Sequence, residues 1–169
     1  MTHTIDYSNM LFFFSPNGTK GYLSNFYSSK FIVDNIEYNC TEQFFMKFKQ
    51  QMFDPNNKRL ATLILNEVEP RQIKKYGRMV NNYNEKKWSE ARYNVMCIAL
   101  KHKFTQNKEL KQKLLDTGNL FLVEASPFDK IWGIGLSEDV ARKTYCDEWP
   151  GENLLGRALM DTREYLKKF

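Results

Sequence analysis

The sequence predicts an α+β fold: a single helix-dominated domain with a small β-sheet drawn from its N-terminal third. Three observations carry that expectation. Short apolar, β-rich runs bounded by turn residues cluster before Tyr38. After Thr41, apolar residues recur at three- and four-residue steps in one segment after another. The length, 169 residues, suits one domain, expected over residues 1–169 with a core at about 11–168. A chain near 150 residues buries roughly 68–70% of its unfolded surface, so the fold needs no disulfide or metal to hold it.

The elements follow in order. Residues 11–14 read as a buried strand, closed by the turn cluster Ser15-Pro16-Asn17-Gly18. Phe31-Ile32-Val33 and Ile36-Glu37-Tyr38 flank Asp34-Asn35, a two-residue polar turn that makes a hairpin. Thr41 reads as the cap of a helix running to about residue 52. Asp54-Pro55 signals the start of a second helix, ending near residue 66, and Glu69-Pro70 starts a third that stops at Gly77. The longest helix is expected from 84 to about 103, with Trp88, Arg92, Val95, Met96, Ala99, Leu100 and Lys103 on its core-facing stripe. Asn107 reads as the cap of a short helix ending before Gly118, and residues 120–124 alternate like a strand. Residues 126–150 are loop-rich, and a last helix runs from about 153 to 168. Phe12, Phe13, Phe14, Phe44, Phe48 and Trp88 are the expected aromatic core.

Composition excludes several classes. Hydrophobic residues at 42% and charged residues at 27% rule out whole-chain disorder. Twenty-five Lys and Arg against 20 Asp and Glu leave a formal charge of +5, which points to a polyanionic partner such as phosphate or nucleic acid. The aromatic content, 15%, suits either a ring-filled core or a surface that stacks on a flat ligand. Cys40, Cys97 and Cys146 are odd in number and widely spaced, which suits a reduced, cytoplasmic setting. The N-terminus lacks a basic leader, and no stretch approaches the roughly 20 apolar residues of a membrane span.

Metal chemistry is not expected: there are two histidines, His3 and His102, and no paired-ligand spacing. No cofactor motif is complete either. Gly133-Ile134-Gly135 is a lone GxG. The helix after Thr41 is more informative. Glu42 and Lys49 lie seven residues apart, two turns, on the border between an aromatic stripe and a polar one. They read either as border charges beside a core or as an acid and an amine lining one aromatic-walled cleft. Ser24-Asn25-Phe26 reads as a turn or a ligand loop. Asp129, three residues before Trp132, reads as a turn-capping or a reactive carboxylate. Trp132 beside Gly133 suits a close approach to a flat ligand. Asn153 reads as a helix cap or a contact, and Arg78 as a solvated charge or a phosphate contact.

Taken in order, these pieces resemble the NADAR family. The resemblance rests on Tyr22-Leu23-Ser24-Asn25-Phe26, Thr41-Glu42-Gln43-Phe44-Phe45 with Lys49, Gly77-Arg78, Trp88, Val95-Met96 and Lys103-Phe104. It continues through Leu122-Val123-Glu124, Asp129 with Trp132-Gly133-Ile134-Gly135, Gly151-Glu152-Asn153-Leu154-Leu155-Gly156, Leu159-Met160 and Arg163. It implies a metal-free N-glycosidase acting on ribose attached to an amine or base. Two substrate types go with the family: ADP-ribose on guanine in DNA or RNA, and an early phosphorylated intermediate of riboflavin synthesis, a small phosphoribosyl metabolite.

By position, the resemblance makes Glu42, Lys49 and Asp129 the catalytic candidates. Ser24, Asn25, Phe26, Phe45, Arg78, Trp132, Gly133 and Asn153 are the substrate-binding ones. One position departs: Gln43 stands where many relatives have histidine. Breaking a ribosyl C–N bond needs an acid for the leaving nitrogen and stabilisation or capture of the ribosyl cation. A lysine amine could instead attack the anomeric carbon through a Schiff base with the opened sugar. The leading expectation is removal of ADP-ribose from guanine, and the runner-up is hydrolysis of riboflavin intermediates. A non-catalytic module that binds ADP-ribose or nucleic acid is the third reading. Retention of Glu42, Lys49 and Asp129 together argues against it.

Overall fold

The computed structural model describes residues 5–169. In chain order the elements are β1 (Met10–Phe13), β2 (Phe31–Val33), β3 (Ile36–Tyr38), α1 (Thr41–Phe53), α2 (Lys58–Asn66), α3 (Pro70–Gly77), α4 (Glu85–Gln106), α5 (Lys108–Asp116), β4 (Phe121–Glu124), α6 (Glu138–Ala141) and α7 (Leu154–Leu166). The α+β, helix-dominated architecture is the expected one. The chain falls into two compact units: a terminal unit, of residues up to Ser24 with Glu109–Phe169, and a central unit, Asn25–Lys108.

In the terminal unit β1 pairs with β4 in parallel, Met10 opposite Phe121 and Phe13 opposite Glu124. The N-terminal strands therefore do not form one sheet; the partner of β1 arrives from far downstream, as parallel pairing requires a long crossover. Phe12, Val123, Ala125, Ile134, Ala141 and Tyr7 form a core cluster, edged by Trp149. Phe14 falls beyond the last paired residue and is 46% exposed, so it leaves the expected core. α7 packs on β4. Arg163, buried, donates to Thr117 Oγ1 at 2.7 Å and to the Leu120 carbonyl at 2.9 Å, fastening α7 to the turn that precedes β4.

In the central unit β2 and β3 form the expected hairpin. Asp34 and Asn35 take φ of 49° and 63°, the left-handed pair that a two-residue hairpin turn demands. α1 packs against α2, α3 and α4. Its cap is Cys40, in extended backbone, rather than Thr41, which is the first helical residue. The Cys40 sulfur lies against the Glu42 and Gln43 amides without meeting hydrogen-bond geometry.

Asp54 ends α1 instead of starting α2; its carboxylate gathers the Asn57 amide at 2.9 Å and the Asn81 amides at 3.1 and 3.2 Å. Asn57 caps α2 through the Leu60 N–H, and Glu69 with Pro70 opens α3 as expected. Phe48 is 37% exposed, because α1 turns that edge away from its three helical neighbours. α4 runs on to Gln106; Asn107, in extended backbone directly before α5, donates back to the Lys103 carbonyl at 2.7 Å.

Candidate active site

In the central unit, α1 is the scaffold. Glu42 is buried in its first turn, and the Glu42 N–H donates to the Asn25 carbonyl at 3.1 Å. That bond ties the Asn25-Phe26 loop to the start of the helix. Two turns on, Lys49 is half-buried; its Nζ donates to the Gly77 carbonyl at 2.9 Å and sits 4.5 Å from the Tyr83 ring centre. Burial lowers the Lys49 pKa, the Glu42 and Glu85 carboxylates oppose that shift, and Arg78 reinforces it. The charges of Glu42 and Arg78 thus both act on Lys49. Arg78 is exposed at the end of α3. Phe45 is buried against Trp88, ring centres 4.9 Å apart, which makes it a wall behind α1 and not a free platform.

Polar oxygens without partners collect where α1 begins. Asn25 Oδ1, Thr41 Oγ1 and Ser29 Oγ are buried and accept or donate no hydrogen bond. Ser29 is joined to the strand before α1 by its N–H on the Asn39 carbonyl. Such orphaned groups are rare in folded proteins, and each is a sign of a functional or solvated position.

Gln43, by contrast, is fully committed. It accepts from the Asn39 N–H at 2.7 Å, and its amide donates to the carbonyls of Ile64, Leu65 and Glu67 at 3.0 to 3.2 Å. The residue that departs from the family pattern clamps the end of α2.

In the terminal unit the loop after β4 carries the rest. Asp129 Oδ1 accepts from the Ile131 and Trp132 amides, both at 2.8 Å, and so shapes the turn that presents half-buried Trp132. Carbonyls of this loop then meet amides at the start of α7: Leu154 N on Ile131 O, Leu155 N on Trp132 O and Asn153 N on Gly133 O, at 3.0 to 3.1 Å. These backbone bonds satisfy the helix start, which explains why Asn153 is not a side-chain cap. Asn153 sits at φ 53° and turns its buried amide to β4, accepting from Glu124 N–H and donating to the Leu122 carbonyl, both at 2.9 Å. Gly133 meets the same logic: a Cβ there would lie 2.9 Å from the Asp129 carbonyl oxygen and 3.0 Å from that of Glu124. Its close approach is to backbone. Ser24 is buried and ends a 3-10 turn over Gly21–Leu23.

Sequence reasoning missed Lys103 as a titrating group. Its side chain is wholly buried, 5.5 Å from the Tyr27 ring centre and 5.1 Å from that of Phe104. Burial lowers its pKa to about 7, opposed by the Cys40 thiol. The signal was present: Lys103 extends the apolar stripe of α4. Also unforeseen is a pocket of about 470 Å³ in the terminal unit, lined by Phe12, Ser15, Lys20, Pro127 and Ser137 among others and by none of the expected site residues. Among the described residues, no group of three or more His, Cys, Asp or Glu is placed to hold a metal ion; His3 lies outside them.

The family model of the NADAR domain matches residues 12–167. The chain belongs to the NADAR family. It is 40% identical over 128 residues to N-glycosidase R617 of Acanthamoeba polyphaga mimivirus, covering 76% of this chain and 74% of that one. It is 30% identical to N-glycosidase YbiA of Escherichia coli, covering 91% and 86%. It is also 30% identical to riboflavin biosynthesis protein VVA0006 of Vibrio vulnificus, covering 94% of this chain and 39% of that longer one. The NMR structure of E. coli YbiA matches with a TM-score of 0.76 and 28% identity over 98% of this chain and 89% of that one. NADAR membership and these relatives' names support N-glycosidase activity. Among the described residues, no helix is long and apolar enough to cross a membrane.

Proposed function

We propose that this protein is an N-glycosidase that removes ADP-ribose from guanine bases of nucleic acid. One observation carries the assignment: a buried carboxyl, Glu42, and a half-buried amine, Lys49, occupy one edge of α1 and act on each other's charge, with Arg78 beside them. In the reaction the ribosyl C1–N bond breaks, its electron pair goes to the guanine nitrogen, and a proton must reach that nitrogen. Glu42 is the group to deliver it. The anomeric carbon gains positive charge and is captured by water, whose proton returns to the Glu42 carboxylate, or, reversibly, by the Lys49 amine, which water then displaces. The depressed Lys49 pKa raises the fraction of neutral amine available for that attack. Arg78 meets a diphosphate oxygen. The unpartnered Asn25 oxygen at the start of α1 suits a ribose hydroxyl donor. Phe26, on the loop tied to the start of α1, packs against sugar or base.

The test is direct. Incubation with an ADP-ribosylated guanine oligonucleotide should release free ADP-ribose, and Glu42→Gln should lower kcat by roughly 10²–10⁴-fold. A near wild-type rate in that variant removes Glu42 from proton transfer. Borohydride added during turnover should leave a stable adduct on Lys49; its absence leaves Lys49 an electrostatic role only. Asp129→Asn in the same assay tests the second carboxylate that the family pattern names. A second reading, hydrolysis of a phosphorylated riboflavin-pathway intermediate, is favoured by the name of the Vibrio relative. Release of ribose phosphate from such an intermediate, with no action on the oligonucleotide, would establish it instead.

A further inference from the structure

The outer face of α3 carries four cations in a row. Arg71, Lys74, Lys75 and Arg78 fall at i, i+3, i+4 and i+7, so they share one side of the helix, and all four are exposed. The opposite side is core: Ile73 and Gly77 are buried where α3 packs on α1 and α2. Among the described residues none of the four forms an ion pair. The nearby acids are engaged otherwise: Glu69 accepts from the Arg71 N–H, and Glu67 from the Val68 and Glu69 N–H groups. Elsewhere Lys30, Arg92, Lys113, Arg142 and Lys167 each hold an acid partner.

Like charges three and four apart destabilise a helix, and only part of that is returned by cations at the helix C-terminus. The row ends at Arg78, whose charge reaches Lys49, and Gly77 at the same helix end accepts from Lys49. We infer that the outer face of α3 is the docking surface for a nucleic-acid strand, whose phosphates it leads to the Glu42–Lys49 site. Seven residues of helix rise about 10 Å, the rise of three nucleotides along one strand. A regular row of unpaired cations matches a regular row of phosphates. The central unit as a whole has the matching sign, 15 Lys and Arg against 8 Asp and Glu.

The inference rests on the ADP-ribosylguanine reading for its purpose but is measured apart from it. The probe is an unmodified single-stranded oligonucleotide, titrated into wild type and the triple variant Arg71→Gln, Lys74→Gln, Lys75→Gln at several salt concentrations. Arg78 is left in place. The wild type should bind with a steep salt dependence. The variant should bind roughly tenfold or more weakly, with the slope of log K against log salt reduced by about 2, or about 0.7 per lost phosphate contact. Hydrolysis of ADP-ribosylated guanosine, too small to reach the row, should be unchanged. Equal affinity and slope in the two proteins would overturn the inference. So would wild-type binding to phosphatidylserine vesicles, or to polyglutamate, that matches the oligonucleotide and is lost in the variant. Failure to release ADP-ribose from any guanine substrate would sink the proposed reaction and leave the oligonucleotide titration to decide this surface alone.

Discussion

The two units hold their candidate residues in different ways. The central unit does it with side chains on helices and carries an excess of seven cations; the terminal unit, with 10 Lys and Arg against 12 Asp and Glu, does it with backbone. In the first, Glu42, Lys49 and the α3 row are placed by helical periodicity, and charge acts through burial. In the second, loop carbonyls cap α7, an asparagine side chain completes β4 and the Asp129 carboxylate gathers two amides, so the turn that carries Asp129 and Trp132 depends on hydrogen bonds to main-chain groups. The net charge of the whole chain therefore hides a division: the polyanion signal belongs to one unit.

The sharpest way to break that contrast is at Asn153. Asn153→Ala strips the Glu124 N–H and the Leu122 carbonyl of their partner and puts a non-glycine, non-asparagine residue at φ 53°. Each buried group left unpaired costs about 1–3 kcal/mol, so the expected loss is roughly 3–6 kcal/mol in urea unfolding. Asn153→Gly keeps the backbone conformation open and separates the two causes. If it is as stable as wild type, the side-chain clip contributes nothing and the terminal unit does not depend on it.

Next in size is Gln43→Ala in the central unit. It orphans the Asn39 N–H and three carbonyls at the end of α2; only the Ile64 bond is buried and the others are half-buried, so roughly 1–3 kcal/mol, about one buried group left unpaired, is expected. Gln43→His, which restores the residue common in the family, should lower stability less and leave kcat within about twofold, because this position clamps α2 here. A large rise in kcat would instead make the histidine a missing catalytic group.

The same division explains what could be read in the sequence. The hairpin was legible because Asp34-Asn35 can adopt φ values that few other pairs tolerate. Pro70 behind Glu69 fixed the start of α3 for a similar local reason. That Glu42 and Lys49 share one edge of α1 is a matter of two helical turns; what they do there is not written in the spacing. Thr41 and Asp54 were misplaced as caps because each choice depended on packing: Cys40 already held the extended cap position, and Asp54 was drawn to Asn81. Asn153 and Gly133 stood out in the sequence as part of ordered motifs. Their partners, the backbones of β4 and of the Asp129 turn, lie far off or carry no side-chain signature. Phe14 and Phe48 look like core in composition, yet the one lies past the end of a strand pair and the other on the outer edge of α1.

The smallest expected effect per measurement concerns Lys103, and it tests whether burial in the central unit acts electrostatically. The folded chain holds this amine at a pKa of about 7, whereas a free lysine titrates near 10.4. Between those values the unfolded chain binds a proton that the folded chain does not, so stability rises with pH, by at most about 1.4 kcal/mol per pH unit. Below about pH 7 both states are protonated and the penalty is constant. Cys40 acts oppositely: burial raises its thiol to about 11, so above about pH 8.5, where a free thiol ionises, its contribution falls. The clean window is therefore pH 7 to 8.5. Urea unfolding across it should show wild-type stability climbing and Lys103→Met, which replaces the stem without the charge, nearly flat and more stable at pH 7. Lys49, also depressed by burial, contributes with the same sign. A wild-type profile flat over that window would mean that the Lys103 ammonium stays charged in the fold, held by contacts strong enough to offset its desolvation.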